Sequence, residues 1–253
     1  MSRTTTSPGG LLLTGRTVLV TGASRGIGRA TALAAHREGA HVVAHWGSSE
    51  QAAHDLQQRL GDRGCLVRAD LRDPGETEGM WQEALAWRGH IDVLVNNAGA
   101  WLASPVDDPA QWRQGWADNL ALNLIGPADL SRNAVLHFRE RGGGIVVSVS
   151  SRSAHRGDDA EHLAYGAAKA GLLALTKGIA RGFAADGVLA YSVAPGWVAT
   201  DLAEAGEPDA TSVPLGEITP PQDVAEMIVF LASGRSRHAT GATIDITGAD
   251  YIR

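Results

Sequence analysis

The sequence predicts a three-layer α/β/α fold in which helices flank a doubly wound parallel sheet of seven strands. Short β-branched runs alternate along the 253 residues with longer segments of helical periodicity, as expected for right-handed βαβ units. A hydrophobic content of 44 % is enough for one sizeable core. A glycine-rich segment lies between the first strand and the first helix, at the sheet edge where ligands of such folds bind.

Local patterns place the individual elements. Apolar, β-branched runs predict strands at residues 17–20, 41–44, 65–67, 91–95, 145–149, 189–193 and 242–246. Helical spacing of apolar residues predicts helices at 27–38, 110–139, 165–184 and 222–232. Residues 1–12 are polar apart from a short apolar run, and we expect a flexible tail there followed by a single domain over 13–253.

Composition excludes several classes of function. A formal charge of -6 argues against nucleic acid and against anionic membrane surfaces as partners. The apolar run at 11–13 is too short for a signal peptide or a membrane span. The single cysteine, Cys65, rules out an internal disulfide and fits a reducing compartment, so we expect a cytoplasmic protein. No metal site is predicted.

Tyr165 and Lys169 are the residues that most strongly suggest chemistry. They lie four apart in a run rich in Ala, Gly and Leu, so a helix places both side chains on one face. A phenol loses its proton near pH 10, and a neighbouring ammonium is expected to lower that pKa toward the working range of an acid-base catalyst. The spacing alone also fits a half-buried tyrosine beside a structural lysine.

The glycine-rich segment predicts a site for a pyrophosphate. Its spacing is Gly-x-x-x-Gly-x-Gly, and it is followed by a helix whose N-terminal amides and partial positive charge favour an anion. A tight turn without a ligand is the alternative. The residues predicted to contact a dinucleotide here are Gly22, Ser24, Arg25, Gly26, Ile27 and Gly28.

Further motifs follow in a fixed order. They are Asp70-Leu71, Asn96-Asn97-Ala98-Gly99, Asn123, Ser150-Ser151, Tyr165-x-x-x-Lys169 and Pro195-Gly196-Trp197-Val198-Ala199-Thr200. Together with the glycine segment, and over about residues 15–250, they resemble the single-domain short-chain dehydrogenase/reductase family. The stretch Val213-Pro214-Leu215-Gly216 resembles its 3-oxoacyl-carrier-protein reductase branch, although that stretch is widespread in the family. The resemblance implies a Rossmann fold, a homotetramer and hydride transfer between a nicotinamide and a carbonyl or alcohol.

The resemblance also assigns catalytic roles. Tyr165 would exchange a proton with the substrate oxygen, and Lys169 would hold the ribose hydroxyls and lower the pKa of Tyr165. Ser151 would hydrogen-bond the substrate oxygen, with Ser150 as the alternative.

A fourth catalytic position is assigned in the same way. Asn123 would hold a water of the proton relay through its backbone. Its neighbour Asn119 is easily mistaken for it, and a locally satisfied polar residue is the structural alternative.

The remaining cofactor contacts come from the same motifs. Asp70 would meet the adenine amino group, with a turn-capping role as the alternative, and Leu71 would contribute its backbone. The other residues implied are Asn97, Ala98 and Gly99 near the adenine ribose, Pro195 and Gly196 over the nicotinamide, and Val198 and Thr200 at its carboxamide.

The end of the second strand bears on the choice between NADP and NAD. Relatives that use NAD carry an acidic residue there, which binds both ribose hydroxyls, whereas this chain has Trp46. Arg25 is placed to bind a 2'-phosphate, and Ser48 can add a hydroxyl donor. NADP(H) is therefore favoured. NAD(H) stays open, because Arg25 also fits an exposed residue at a helix start.

The substrate side is less defined. Trp101, Ser153, Trp197 and Leu202 are the predicted lining residues, and residues 201–220 resemble the family's substrate lid. The charged segment 152–162 is either a solvated loop or a source of substrate contacts through His155 or Arg156.

The favoured function is NADP(H)-dependent interconversion of a small ketone or aldehyde with an alcohol. The alternatives are an NAD-dependent alcohol dehydrogenase of the same family and a non-catalytic dinucleotide-binding protein.

Overall fold

A computed structural model describes residues 10–200 and 210–253. In this part of the chain seven parallel strands form one sheet in the order β3-β2-β1-β4-β5-β6-β7. The strands are Thr17–Val20 (β1), His41–Trp46 (β2), Gly64–Arg68 (β3), Val93–Asn96 (β4), Gly144–Val149 (β5), Val188–Pro195 (β6) and Thr243–Ile246 (β7). The chain reverses its direction of travel across the sheet between β1 and β4, so the predicted doubly wound fold is confirmed.

Eight α-helices connect the strands within the described residues. They are Gly26–Arg37 (α1), Glu50–Leu60 (α2), Pro74–Arg88 (α3), Pro109–Leu120 (α4), Gly126–Arg141 (α5), Ser153–Arg156 (α6), Leu163–Phe183 (α7) and Pro221–Ala232 (α8). None of them is long and apolar enough to cross a bilayer.

The central strands β1, β2, β4, β5 and β6 are buried on both faces because each face is covered by helices. In β1, Val18 and Val20 pack into one core with apolar residues of α1, α2 and α8. Leu19 points to the other face and packs with residues of α3, α5 and α7. This alternation is the two-residue period of a strand. It explains why these runs are apolar throughout rather than alternating with polar residues.

Three of the helices, α2, α3 and the single-turn α6, are not predicted above. Helix α2 is polar on most of its surface, and its apolar face consists of only three residues, Ala53, Leu56 and Leu60. Helix α3 begins at Pro74 and contains Gly75 and Gly79, which lower helix propensity. Asp73 nevertheless starts α3, because its carboxylate accepts hydrogen bonds from the backbone N–H groups of Gly75 and Glu76.

The predicted single helix over 110–139 is wrong in one respect. It is divided into α4 and α5 by a π-helical turn, Ala121–Ile125. In that turn the N–H of Gly126 donates to the carbonyl of Ala121, five residues back. Pro127 follows directly and has no N–H, so the carbonyl of Asn123 loses the donor that a regular α-helix would supply.

The predicted flexible tail, 1–12, extends mostly outside the described residues. Its last residue is held in place: the N–H of Leu12 donates to the carboxylate of Glu38 at 3.1 Å. Leu13, the first residue of the predicted domain, is fully buried.

Candidate active site

A cleft of about 1280 Å³ opens at the carboxyl ends of the strands. Every predicted cofactor residue lines it: Gly22, Ser24, Arg25, Gly26, Ile27, Gly28, Trp46, Ser48, Asp70, Leu71, Asn97, Ala98, Gly99, Tyr165, Lys169, Pro195, Gly196, Val198 and Thr200. Ser151 and the predicted substrate residues Trp101, Ser153 and Trp197 line the same cleft. Leu202 lies outside the described residues, as do residues 201–209 of the predicted lid, 201–220. No group of three or more His, Cys, Asp and Glu side chains in the described ranges is arranged to hold a metal ion.

The glycine segment forms a tight cradle at the start of α1. Gly22 and Gly26 have φ angles of 63° and 52°, a left-handed conformation that other residues adopt at a cost. A Cβ atom on Gly28 would lie 2.1 Å from the carbonyl oxygen of Gly22, so only glycine fits there. The cradle leaves backbone exposed beside the N-terminus of α1, which fits the pyrophosphate of a dinucleotide.

His45, at the end of β2, fixes the beginning of this cradle. Its Nδ1 accepts a hydrogen bond from the N–H of Gly22 at 3.0 Å, and its Nε2 lies 3.1 Å from the carbonyl oxygen of Ala69. These contacts require a neutral ring with its proton on Nε2. Burial lowers the pKa of His45, against a smaller opposing effect of the hydrogen bond to Ala69.

We expect acid to weaken the fold through His45. Because its pKa is lowered in the folded state, its contribution to stability is complete above the unfolded pKa of about 6.5 and is lost as pH falls below it. His45→Asn keeps an acceptor near the Nδ1 position and cannot be protonated. Urea unfolding at several pH values should therefore give a free energy that falls less steeply below pH 6.5 in the variant, by up to ~1.4 kcal/mol per pH unit. Parallel curves for the two proteins would contradict this role.

Ser151, Tyr165 and Lys169 converge at the centre of the cleft. Ser151 follows β5, and its side chain is close enough to the phenol of Tyr165 in α7 to influence the pKa of that phenol. One turn later in α7, the Nζ of Lys169 donates to the carbonyl of Val149 at 2.9 Å and lies 5.7 Å from the centroid of the Tyr165 ring. Ser150 turns away and donates to the carbonyl of Lys169.

The expectation that Lys169 lowers the pKa of Tyr165 is wrong for the protein by itself. Burial raises the pKa of Tyr165 to about 12, although the side chain of Ser151 acts in the opposite direction. Burial also lowers the pKa of Lys169 to about 8. Both shifts have the same cause, since low-dielectric surroundings disfavour the charged form of each group.

Asn123 lies behind the cleft and does not line it. Its side chain is fully buried. It donates to the carbonyl of Ala100 at 3.0 Å and accepts from the N–H of the same residue at 3.2 Å. A Cβ on Gly99 would lie 2.5 Å from its Oδ1. The side chain of Asn123 therefore holds the loop after β4. The backbone carbonyl of Asn123, in the π turn, lacks the donor that a regular α-helix would supply.

The adenine end of the cleft carries more positive charge than the motifs indicate. Arg68 ends β3 in register with Trp46 of β2, and its guanidinium lies 5.6 Å from the Trp46 ring centroid. Asp70 forms an ion pair with Arg72 at 2.6 Å, and this hydrogen bonding lowers the pKa of Asp70. Arg68 and Arg72 both line the cleft, and neither was found from motifs, because each is placed by strand register or by an ion pair.

Aromatic rings form the wall of the substrate side. The ring centroids of Trp101 and His162 are 3.5 Å apart with an interplanar angle of 16°. Trp101 and Trp197 meet edge to face at 6.1 Å. The Nδ1 of His162 contacts the carboxylate of Asp159 at 2.7 Å, and this contact holds the imidazole ring against Trp101.

The charged segment 152–162 is not a fully solvated loop. Arg152 is buried, lies with its guanidinium 5.1 Å from the Trp197 ring centroid and forms an ion pair with Asp250. Burial, together with nearby Arg156, lowers the pKa of Arg152 to about 10, so it stays charged at neutral pH.

The two residues proposed for substrate contact within this segment differ in position. Arg156 lines the cleft. His155 does not, and stacks on Tyr251 with ring centroids 6.0 Å apart.

Comparison with known proteins agrees with this fold and cleft. The family model described as enoyl-(acyl carrier protein) reductase matches residues 22–248. The 3-oxoacyl-[acyl-carrier-protein] reductase FabG of Staphylococcus aureus is 32 % identical over 245 residues, which cover 94 % of this chain and 98 % of that protein. The L-rhamnose 1-dehydrogenase (NAD(P)(+)) of Azotobacter vinelandii is 38 % identical over 257 residues, covering 96 % and 99 %.

A solved structure gives the same result. A dehydrogenase/reductase from Sinorhizobium meliloti matches with a TM-score of 0.85 at 31 % identity, covering 95 % of this chain and 96 % of that one. The similarity extends over nearly the whole length in each comparison. The chain therefore belongs to the short-chain dehydrogenase/reductase family of NAD(P)-dependent oxidoreductases.

Proposed function

We propose that this protein is an NADP(H)-dependent oxidoreductase that interconverts a ketone or aldehyde with an alcohol, with Tyr165 as the acid-base group. The observation that carries the proposal is the convergence of Ser151, Tyr165 and Lys169 in the cleft that also contains the glycine cradle. The non-catalytic alternative would require one of these side chains to be absent or turned away.

The residues suggest how a reduction would proceed. Ser151 holds the carbonyl oxygen beside the phenol, and Tyr165 donates its proton to that oxygen as negative charge develops. A raised pKa of about 12 keeps Tyr165 protonated at neutral pH, as proton donation requires. Lys169 holds the ribose of the cofactor, and the carbonyl of Asn123 holds a relay water. When bound, the nicotinamide supplies or accepts the hydride.

Preference for NADP(H) rests on the side chains at the ends of β2 and β3. Trp46 occupies the position at which a carboxylate, if one were present, would repel a 2'-phosphate. Arg25 is exposed at the start of α1. Arg68 adds a second guanidinium beside Trp46. Arginine is suited to phosphate because its fork of N–H groups matches the phosphate oxygens. We assign Arg25 and Arg68 to the 2'-phosphate, with Ser48 as a hydroxyl donor.

Arg68→Ala should weaken NADPH binding by roughly tenfold to a hundredfold, the range for loss of a hydrogen bond to a charged group. NADH has no 2'-phosphate, so its dissociation constant should change little. Arg88→Ala is the matched control, because Arg88 is also exposed and lies 5.7 Å from a tryptophan ring centroid, but outside the cleft. Titration by nicotinamide fluorescence measures both cofactors. Equal losses for NADPH and NADH would contradict a phosphate contact.

The same titration on the wild-type protein tests the proposed function. Much tighter NADPH binding supports it, and tighter NADH binding favours the NAD-dependent alternative. Turnover is then measured on carbonyl and alcohol panels, since a non-catalytic protein would bind cofactor without oxidising or reducing it. Failure to bind either cofactor would contradict the proposal altogether.

We also propose a cytoplasmic homotetramer. Exposed apolar side chains lie on the helical surfaces outside the cleft, at Ile125 in the π turn, Leu136 in α5 and Phe230 in α8. Exposed apolar patches of this kind favour association. The free, half-buried Cys65 suits a reducing compartment.

A further inference from the structure

Arg152 is a buried cation next to the reacting centre, and the proposed acid-base mechanism does not use it. It follows Ser151 in the chain, it lines the cleft, and its side chain is only 8 % exposed. One face of its guanidinium lies against Trp197. Removing such a charge from water costs free energy unless the charge is paired. The groups that pair with the guanidinium of Arg152 therefore indicate its role.

Asp250 holds Arg152 in position from the segment after β7. The two side chains form an ion pair, and both are largely buried. Gly196 packs closely against this segment, since a Cβ there would lie 3.1 Å from the Cα of Thr247 and 3.5 Å from the Asp250 carboxylate. The N–H of Arg152 also donates to the carbonyl of Pro195 at 3.0 Å. The guanidinium is thus fixed before any substrate arrives.

Asp158 brings a carboxylate close to Tyr165: a Cβ on Gly166, the next residue along α7, would lie 3.7 Å from the Cβ of Asp158. It lines the cleft and is half-buried. It interacts electrostatically with Arg152 and with the hydroxyl of Tyr165. The surroundings of the proposed acid-base group therefore contain a fixed donor and an acceptor of opposite charge.

The balance of charge indicates which substrate group suits this arrangement. Arg152, Arg156 and Lys169 are offset by Asp158, Asp159 and Asp250, so the substrate side has no net positive charge to attract an anion. A carboxylate or a plain carbonyl can only accept hydrogen bonds, whereas a hydroxyl both donates and accepts. A hydroxyl group is thus the neutral group able to pair with Arg152 and Asp158 at once.

We infer that Arg152 and Asp158 form a specificity pair that selects a neutral substrate with a hydroxyl group on the carbon next to the reacting carbonyl, and that Asp250 is a positioning residue for Arg152. The inference rests on the proposed carbonyl–alcohol activity. It goes further by naming the substrate class as α-hydroxy carbonyl compounds and the corresponding vicinal diols.

The test compares three probes that share one ring: 2-hydroxycyclohexanone, cyclohexanone and the anionic 2-oxocyclohexanecarboxylate. Oxidation of NADPH is followed with each probe for the wild type, Asp158→Asn and Asp250→Asn. The wild type should prefer the hydroxyketone over cyclohexanone by roughly tenfold or more in kcat/KM, the effect of one hydrogen bond to a charged group. Asp158→Asn should remove most of this preference, chiefly by lowering kcat/KM for the hydroxyketone, while the dissociation constant of NADPH stays unchanged.

Asp250→Asn should raise KM for the hydroxyketone more than it lowers kcat, because a loosened Arg152 weakens binding of the substrate hydroxyl. Thermal melting shows whether each variant is folded, and Asp107→Asn, at an exposed position outside the cleft, is the matched control. A wild type that prefers cyclohexanone or the anion, or a preference that survives in Asp158→Asn, overturns the inference. If NADPH binds and none of the three probes is reduced, the substrate class is wrong and the cofactor assignment stands. If NADPH does not bind, the proposed function itself fails.

Discussion

Tyr165→Phe is expected to reduce turnover by about 10²- to 10⁴-fold, the contribution typical of general acid-base catalysis. The substitution removes the hydroxyl next to Ser151 and leaves the ring, its packing and the neighbouring ammonium in place. Cofactor binding depends on the glycine cradle and on Lys169. The dissociation constant of NADPH should therefore stay within a factor of about two, far less than the change that loss of one charged hydrogen bond causes.

Tyr191→Phe is the matched control for this prediction. Tyr191 is also buried, and its hydroxyl donates to the carbonyl of Ser236 at 3.0 Å, away from the cleft. Its loss should lower stability by about 0.5–1.5 kcal/mol without changing kcat. Steady-state rates on the best carbonyl substrate of the wild type, together with NADPH titration, give the comparison. Retained activity in Tyr165→Phe would refute the acid-base role.

Gly28→Ala should abolish cofactor binding and destabilise the fold. The added Cβ would lie 2.1 Å from the carbonyl oxygen of Gly22 and 2.5 Å from the Nδ2 of Asn97. That Nδ2 donates to the carbonyl of Thr21 at 2.8 Å, so the cradle and the loop after β4 cannot both keep their positions. We expect a cost of about 1–3 kcal/mol in unfolding free energy, as for other overpacked sites.

Gly178→Ala provides the control for adding a methyl group to a helical glycine. Gly178 lies in α7, and a Cβ there would meet no atom within 4 Å. This variant should bind NADPH normally and gain about 0.5–1 kcal/mol from the better helix propensity of alanine. Urea unfolding and fluorescence titration of both variants decide the matter. Normal NADPH affinity in Gly28→Ala would show that the cradle does not contact the cofactor.

The strands of the sheet could be predicted from the sequence because a strand that is buried on both faces consists mainly of apolar residues. Each strand is an apolar run, and the doubly wound order follows from its alternation with helices. The same property explains the helices that were missed. Helix α2 is polar on most of its surface, and its apolar stripe is reduced to Ala53, Leu56 and Leu60. The π turn at Ala121–Ile125 was also missed, because the segment keeps apolar residues at helical spacing throughout.

The residues that line the cleft around the glycine cradle could be predicted because they belong to short motifs. Glycines that allow close approach stand next to each other in the chain, so their spacing is visible in the sequence. Arg68 could not be found in this way, because its place beside Trp46 depends on the register of β2 with β3. The partnership of Arg152 with Asp250 joins residues far apart in the chain, and only packing brings them together.

The pKa of Tyr165 shows a further limit. Spacing along a helix identifies the nearest charged group, Lys169, and its sign. It gives no measure of how far the surrounding protein excludes water. In this fold that exclusion outweighs the charge and moves the pKa in the opposite direction.

Pro127 has opposite effects on the stability of the helix and on the proposed catalytic role of the Asn123 carbonyl. Its missing N–H leaves the carbonyl of Asn123, the group we propose for the relay water, without a helical donor. A residue that donates at this position would complete the backbone ladder and favour a continuous helix. Methods that redesign proteins for stability alone would select that replacement. Selection for activity would retain the proline, so this position marks where the two objectives oppose each other.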